Sequence, residues 1–226
     1  MVFNAVMFPK LSYSPQKDFA PISLVASFPL VVVVNAGTSI RTLPELVAYA
    51  KANPAKANYA ASTSSFQLIT ELLNIQTGAA LEFVPYKGTN ESLNAVIAGD
   101  VLTTIADSGP ASGALRSGKV RGLAVTSQSR MPAFPETPTV REAGYPDLET
   151  ELWMGLFAPA GTPRAVVRRL EDEVRRAVAS PEVQDRMTAL NVTPVGSSGE
   201  ELARQIATEI PRWTDVARAR NVKPNN

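Results

Sequence analysis

An α/β fold is predicted by three observations. Segments of strand character and segments of helical character alternate from residue 30 to residue 126 at the spacing of β–α–β units. Hydrophobic residues make up 45% of the 226 and charged residues 19%, a composition that buries a core and does not suit a disordered chain. Residues 161–226 carry 11 basic and 9 acidic side chains, against 11 and 12 in the first 160. The longer first part therefore reads as buried strands with a low-charge surface, and the second as solvated helices. The length allows one large domain or two small ones, and the residues alone leave one lobe or two open.

The strands are placed by short apolar runs rich in β-branched residues. Four consecutive valines, Val31–Val34, mark Leu30–Val34 as a buried strand. The others are Asn58–Ala61, Glu82–Pro85, Val101–Ala106, Gly122–Thr126 and Trp153–Ala158. Because helices separate them, the sheet is expected to be largely parallel.

The helices are placed by their ends. Thr42-Leu43-Pro44-Glu45 has capping-box spacing ahead of Leu46, Val47 and Ala50, and Asn53-Pro54 closes that helix. Ser64 or Ser65 opens a helix carrying Phe66, Ile69, Leu72 and Leu73 that ends at Gly78. Thr89–Ser92 opens another, with Leu93, Val96 and Ile97 inward and Gly99 beyond its end. Thr162-Pro163, Ser180-Pro181 and Ser198-Gly199 open helices over 163–179, 181–190 and 199–219, the last with a kink expected at Pro211. The first residues, with Pro9, Pro15 and Pro21, show neither helical nor alternating pattern.

Composition excludes several classes of function. There is no cysteine and no histidine, so disulfides, thiolate metal sites and cysteine nucleophiles are out, and so is the commonest general base. A net charge of +1 gives no footprint for nucleic acid. Neither G-x-x-x-x-G-K-[ST] nor G-x-G-x-x-G occurs, so no nucleotide cofactor is indicated. The apolar run Leu30–Val34 is far shorter than the ~20 residues a membrane span needs. The N-terminus lacks the basic start and apolar run of a signal peptide. Trp153 and Trp213 lie among core-type residues and read as packing. Glu149 and Glu151 share a face of a strand or turn and read as exposed.

Three strand-to-helix loops are candidate binding elements, because ligands of such sheets sit beyond the carboxyl ends of strands. In Ser62-Thr63-Ser64-Ser65, four hydroxyl residues meet a helix start, which suits either a carboxylate or plain capping. In Tyr86-Lys87-Gly88-Thr89, Lys87 supplies charge, Gly88 allows close backbone approach and Tyr86 offers a ring and a hydroxyl. The same tetrapeptide also fits an ordinary junction. Asp107, before Ser108-Gly109-Pro110, either meets a ligand or water or satisfies its own turn. No base stands beside a serine at Ser-x-x-Lys spacing in these loops, so no catalytic set is visible.

Six blocks follow one another along the chain: Asp18-Phe19-Ala20-Pro21-Ile22, Asn58-Tyr59-Ala60-Ala61-Ser62, Val84-Pro85-Tyr86-Lys87-Gly88, Gly118–Thr126, Pro135–Gly144 and Gly155–Pro163. In these blocks, their order and their spacing, the chain resembles the Bug family, the extracytoplasmic solute receptors of tripartite tricarboxylate transporters. The resemblance implies a periplasmic-binding-protein-like fold of type II character, with two lobes of mostly parallel sheets and no enzymatic activity. It implies that residues 36–148 form the whole second lobe. Residues 1–35 and 149–226 then belong to a first lobe that is incomplete here. It implies a small carboxylate ligand, contacted by Ser62, Thr63, Ser64, Ser65, Phe66, Tyr86, Lys87, Gly88, Thr89 and Asp107, with no metal or cofactor. It implies a periplasmic location and the membrane components of a transporter as partners. Family members begin with a signal peptide, a strand and a Pro/Gly-rich loop that are not seen here, and their first loop carries glycines and a histidine that this one lacks. An incomplete lobe also predicts an exposed sheet edge at Leu30–Val34 or Trp153–Ala158, open to a homodimer. The competing reading is an interaction or assembly protein.

Overall fold

The structure is a computed structural model and describes residues 1–8 and 10–223. The chain divides into two compact units, one of residues 1–28 with the described residues from 152 onward, the other of residues 29–151.

The 29–151 unit is built on five strands in the order β3-β2-β4-β1-β5. They are β1 (Phe19–Asn35, which enters this unit at Pro29), β2 (Asn58–Ala61), β3 (Glu82–Pro85), β4 (Thr103–Asp107) and β5 (Val120–Val125). β2 is parallel to β3 and to β4. β1 runs antiparallel to both its neighbours, with Leu30 opposite Asp107 and Val31 opposite Val125. The sheet is therefore mixed where the alternation predicts parallel strands. The crossover from β4 to β5 skips one place in the sheet, and β1 fills it without a crossover helix of its own to fix its direction.

Residues of each strand alternate between the two faces. Val31, Val33, Ala60 and Ala106 pack in one cluster with Leu93 and Val96 of α4 (Thr89–Ala98) and Ala111 of α5 (Ser108–Arg116), counting helices from the N-terminus. Tyr59, on the opposite face, donates its hydroxyl to Glu71 of α3 (Ser64–Thr77) at 2.7 Å. So α3 covers one face and α4 with α5 the other. Val31–Val34 are buried from both sides, which is why they show no alternation. Both α3 and α4 stop at glycines with positive φ, Gly78 and Gly99, as their sequences predict. α2 (Leu43–Ala52) opens on the Thr42 side chain, which accepts from the Glu45 N–H. α5 is not predicted by the sequence reading. Its Ser-Gly-Pro start resembles a turn, yet Pro110 sits in the first helical turn, where a missing N–H costs nothing.

In the other unit, the first part of β1 pairs with β6 (Glu151–Pro159) and β7 (Thr193–Pro194). β1 runs through Pro21 and Pro29, because proline's fixed φ is compatible with extended backbone. Instead of lacking a pattern, the N-terminus begins with a short helix, α1 (Val2–Met7), which packs on α8 (Gly199–Ala219) with the Phe3 and Trp213 rings 5.3 Å apart. α6 (Arg164–Ala179) and α7 (Pro181–Ala189) complete the unit. α8 opens with a full capping box between Ser198 and Glu201 and continues through Pro211. Gly199 is obligatory there, since a Cβ would lie 2.3 Å from the Pro21 carbonyl oxygen. Leu30–Val34 is not the exposed edge expected, because β4 and β5 pair with its two sides. On β6, Met154 and Leu156 are 57% and 40% exposed, and on α6 Val166 and Leu170 are 46% and 39% exposed.

Candidate functional site

Three parallel strands deliver the three candidate loops to one edge of the 29–151 unit. β2 ends at Ala61 and leads through Ser62 and Thr63 into α3. β3 ends at Pro85 and leads through Tyr86, Lys87 and Gly88 into α4. β4 ends at Asp107, and α5 follows at once. β2 is the middle strand, and its chain leaves toward one face while the chains from β3 and β4 leave toward the other. This is a topological switch point, where neighbouring loops part and open a gap above the strand ends.

The helix starts at this edge lack side-chain caps. Thr63 and Gly88 begin α3 and α4 without a side-chain hydrogen bond to the helix, and Asp107 does the same for α5. In α3 the first helical bond runs from the Gln67 N–H to the Thr63 carbonyl, so the N–H groups of Ser64, Ser65 and Phe66 point beyond the helix end. Thr63 Oγ1 and Ser65 Oγ share a hydrogen bond of 2.7 Å instead of capping. Ser62, Ser64 and Ser65 are half-buried, Thr63 is exposed and Phe66 is buried. At the start of α4, the Lys87 N–H donates to Glu91 (3.1 Å) and the Ser92 hydroxyl to the Gly88 carbonyl (3.2 Å). The Lys87 side chain is exposed, while Tyr86, Gly88 and Thr89 are half-buried. The Tyr86 N–H donates to the Ala61 carbonyl, tying the second loop to the first.

Asp107 is joined to the second loop as well, accepting from Thr89 Oγ1 at 3.3 Å. Burial pushes its carboxyl above the ordinary carboxylate range, and the bonds from Thr89 and from its own backbone N–H pull partly the other way. All ten residues singled out in the sequence thus lie at the carboxyl ends of β2, β3 and β4. Their charges are one cation, Lys87, and one acid, Asp107. The arrangement offers an anion free N–H groups, helix N-termini and hydroxyls. Glu149 is not on a strand. It follows a 3-10 turn at Pro146–Leu148 and pairs with Arg141.

Two residues near this edge escape the sequence reading. Thr126 lies just beyond β5, where its hydroxyl accepts from the Leu30 N–H (3.1 Å) and fixes the strand beside Asp107. Gln67 is buried on α3, and its Oε1 has no hydrogen-bond partner. A glutamine inside an apolar helical stripe was the available signal. Among the described residues no cluster of three or more acidic side chains could hold a metal ion, and no helix is long and apolar enough to cross a membrane.

The profile of the tripartite tricarboxylate transporter family receptors matches residues 2–222. The chain belongs to this receptor family. Protein BugT of Bordetella pertussis is 33% identical over 219 residues, 96% of this chain and 67% of its own. Among solved structures, Rpa4515 of R. palustris with adipate superimposes with a TM-score of 0.86 at 31% identity, covering 99% of this chain and 76% of its own. MatC of Rhodopseudomonas palustris with bound malate gives 0.80 at 33% identity, covering 95% and 74%. These likenesses establish the periplasmic-binding-protein-like α/β fold. The receptor chain spans about two thirds of the curated relatives it matches, 64% of one and 67% of another.

Proposed function

We propose that this chain is the solute-binding part of a periplasmic receptor that captures a small organic carboxylate for a tripartite transporter. The observation that carries the reading is the uncapped start of α3 at the switch point, facing the junctions of β3 and β4. The N–H groups of Ser64, Ser65 and Phe66 receive a carboxylate, with the hydroxyls of Ser62, Thr63 and Thr89 beside them. Lys87 adds positive charge, Gly88 lets the backbone approach and Tyr86 flanks the ligand. Asp107 orients a water or meets a cationic substituent. Rpa4515 and MatC, which superimpose on this chain, hold adipate and malate.

The two compact units are the two receptor lobes in this reading, the 29–151 unit being the second. In this reading the chain turns nothing over: it has no histidine or cysteine, and Asp107, which accepts from the Thr89 hydroxyl at this edge, serves binding. Calorimetry with a panel of di- and tricarboxylates tests the proposal. Saturable binding of at least one, weakened in Lys87→Ala, is expected. A panel that gives no heat and no thermal shift overturns it.

One observation favours a second reading, an assembly role. Met154 and Leu156 on β6 and Val166 and Leu170 on α6 are apolar side chains left partly exposed on the other unit, as contact with a second copy of the chain would require. A native mass of two chains, unchanged by carboxylates, with no ligand bound, would put that reading first.

A further inference from the structure

Among the described residues of the 29–151 unit, two polar side chains hold a buried atom with no hydrogen-bond partner, Ser112 on α5 and Gln67 on α3, and Gln67 is the one near the start of α3. It is 7% exposed, and its Oε1 is sealed from solvent with no hydrogen-bond partner. Such an atom carries an uncompensated desolvation cost. The other buried polar side chains of α3 all have partners. Thr70 bonds the Phe66 carbonyl, Glu71 takes bonds from Tyr59 and Asn74, and Asn74 bridges to both the N–H and the carbonyl of Leu81. The exception therefore lies in the first turns of the helix and not in its body.

The position of Gln67 follows from Glu71. Glu71 meets the Tyr59 hydroxyl, so that side of α3 faces the sheet. Gln67 is four residues earlier, on the same side and one turn nearer the helix start. Side chains on a helix lean back toward its N-terminus. Gln67 thus reaches along the sheet side of α3 toward its first turn, where the N–H groups of Ser64, Ser65 and Phe66 are unused. The amide nitrogen is not among the sealed, unpartnered atoms and makes no hydrogen bond within the protein.

We infer that Gln67 is a carboxylate-binding residue that sets specificity at the floor of the site. Its amide N–H donates to the carboxylate oxygen that lies deepest against the start of α3, and no hydrogen bond within the protein competes for that amide. The inference rests on the carboxylate reading above and adds a residue and a selection rule. A neutral donor accepts a fully ionised carboxylate without adding a second cation to the site, and with its N–H side toward the ligand it offers no acceptor to a primary ammonium.

The test uses the whole chain with adipate and malate as probes. Gln67→Leu keeps the volume and removes the donor, and should weaken binding of both about 10-fold or more, as loss of a hydrogen bond to a charged group does. Gln67→Glu should weaken both further, through repulsion between carboxylates. A second measurement does not depend on the variants folding. In the wild type, the Gln67 side-chain amide resonance, assigned through its own backbone, should move on saturation with either probe. An amide unmoved in a wild type that binds, with Gln67→Leu and Gln67→Glu binding as tightly as wild type, overturns the inference and leaves the receptor reading intact. A wild type that binds no carboxylate overturns both.

Discussion

Thr89, the first residue of α4, donates its hydroxyl to Oδ2 of Asp107, the last residue of β4, across 3.3 Å. The bond links two of the three junctions at the carboxyl edge, and it spans the place in the sheet occupied by β2. α4 makes this possible by crossing back over β2 on its way from β3 to β4. The bond also restrains an acid whose burial disfavours its charged form.

The first prediction concerns that acid. Its folded-state pKa is raised, so the folded chain holds the proton more tightly than the unfolded chain does. The resulting stabilisation is complete below the ordinary aspartate value and is lost as pH rises through the folded-state value. Thermal unfolding from about pH 3.5 upward should therefore show a decline contributed by Asp107 that Asp107→Asn removes. Thr89→Val, which deletes a bond favouring the carboxylate, should raise the Asp107 pKa further in a carboxyl-carbon NMR titration. An unchanged titration would show that the 3.3 Å bond has no hold on the acid.

Glu209 gives a parallel case in the other unit. Burial raises its pKa, while the Trp153 indole N–H (2.9 and 3.0 Å to its two oxygens) and the Gln205 amide lower it. The sign is the same, with stability falling as pH rises through the folded-state value. Trp153→Phe removes a donor from a buried acid and should cost about 1–3 kcal/mol in urea denaturation. The cost should be larger at pH 8 than at pH 4, where the acid is protonated. Equal costs at both values would mean that the indole acts by packing alone.

Gly199 and Arg121 test the backbone close to each unit's strands. Gly199→Ala sets a Cβ against the Pro21 carbonyl and should destabilise by about 1–3 kcal/mol, the usual range for forced overpacking. The Arg121 guanidinium donates to the carbonyls of Ala36, Thr38 and Ile40, closing the chain that follows β1. Arg121→Met keeps the stem and removes the donors. Hydrogen exchange should then quicken over residues 36–40 while β4 and β5 keep their protection. Unaltered exchange in that segment would show that the three carbonyls are held by other means.

Much of the fold could be read from residues whose local chemistry has a single outcome. Gly78 and Gly99 close helices because only glycine takes their left-handed backbone at no cost. Ser198 and Glu201 open α8 because the two side chains satisfy each other's backbone donors. What could not be read depends on long-range partners. Val31–Val34 announce a strand, but their sequence holds nothing about direction. The antiparallel setting of β1 comes from the slot left by the β4-to-β5 crossover. α5 stayed hidden because Ser-Gly-Pro serves a turn and a first helical turn equally well. Lys87, Asp107 and the serine loop were legible because strand ends before helix starts are short and polar. The placement of Gln67 was not, because it follows from the side of α3 that Glu71 turns to the sheet.

The last prediction separates capping from binding at the start of α3. A run of hydroxyl residues at a helix start serves either purpose, and Thr63 makes no side-chain cap although it holds the capping position. Ser65 lies in the first turn, its hydroxyl engaged with Thr63. Ser65→Asp places a permanent carboxylate among the free N–H groups. Interaction with the helix dipole should then stabilise the protein by about 0.3–1 kcal/mol. The same carboxylate occupies the donors an incoming carboxylate needs and repels it, so binding of adipate or malate should fall at least about 10-fold. Stability and binding are thus expected to move in opposite directions. If the loop serves only to start the helix, the variant gains stability and binds as wild type does. If the N–H groups are already committed within the protein, it gains neither stability nor any change in binding. Thermal unfolding and calorimetry on one variant distinguish these outcomes, and only a rise in stability together with a loss of affinity places the ligand's carboxylate at the start of α3.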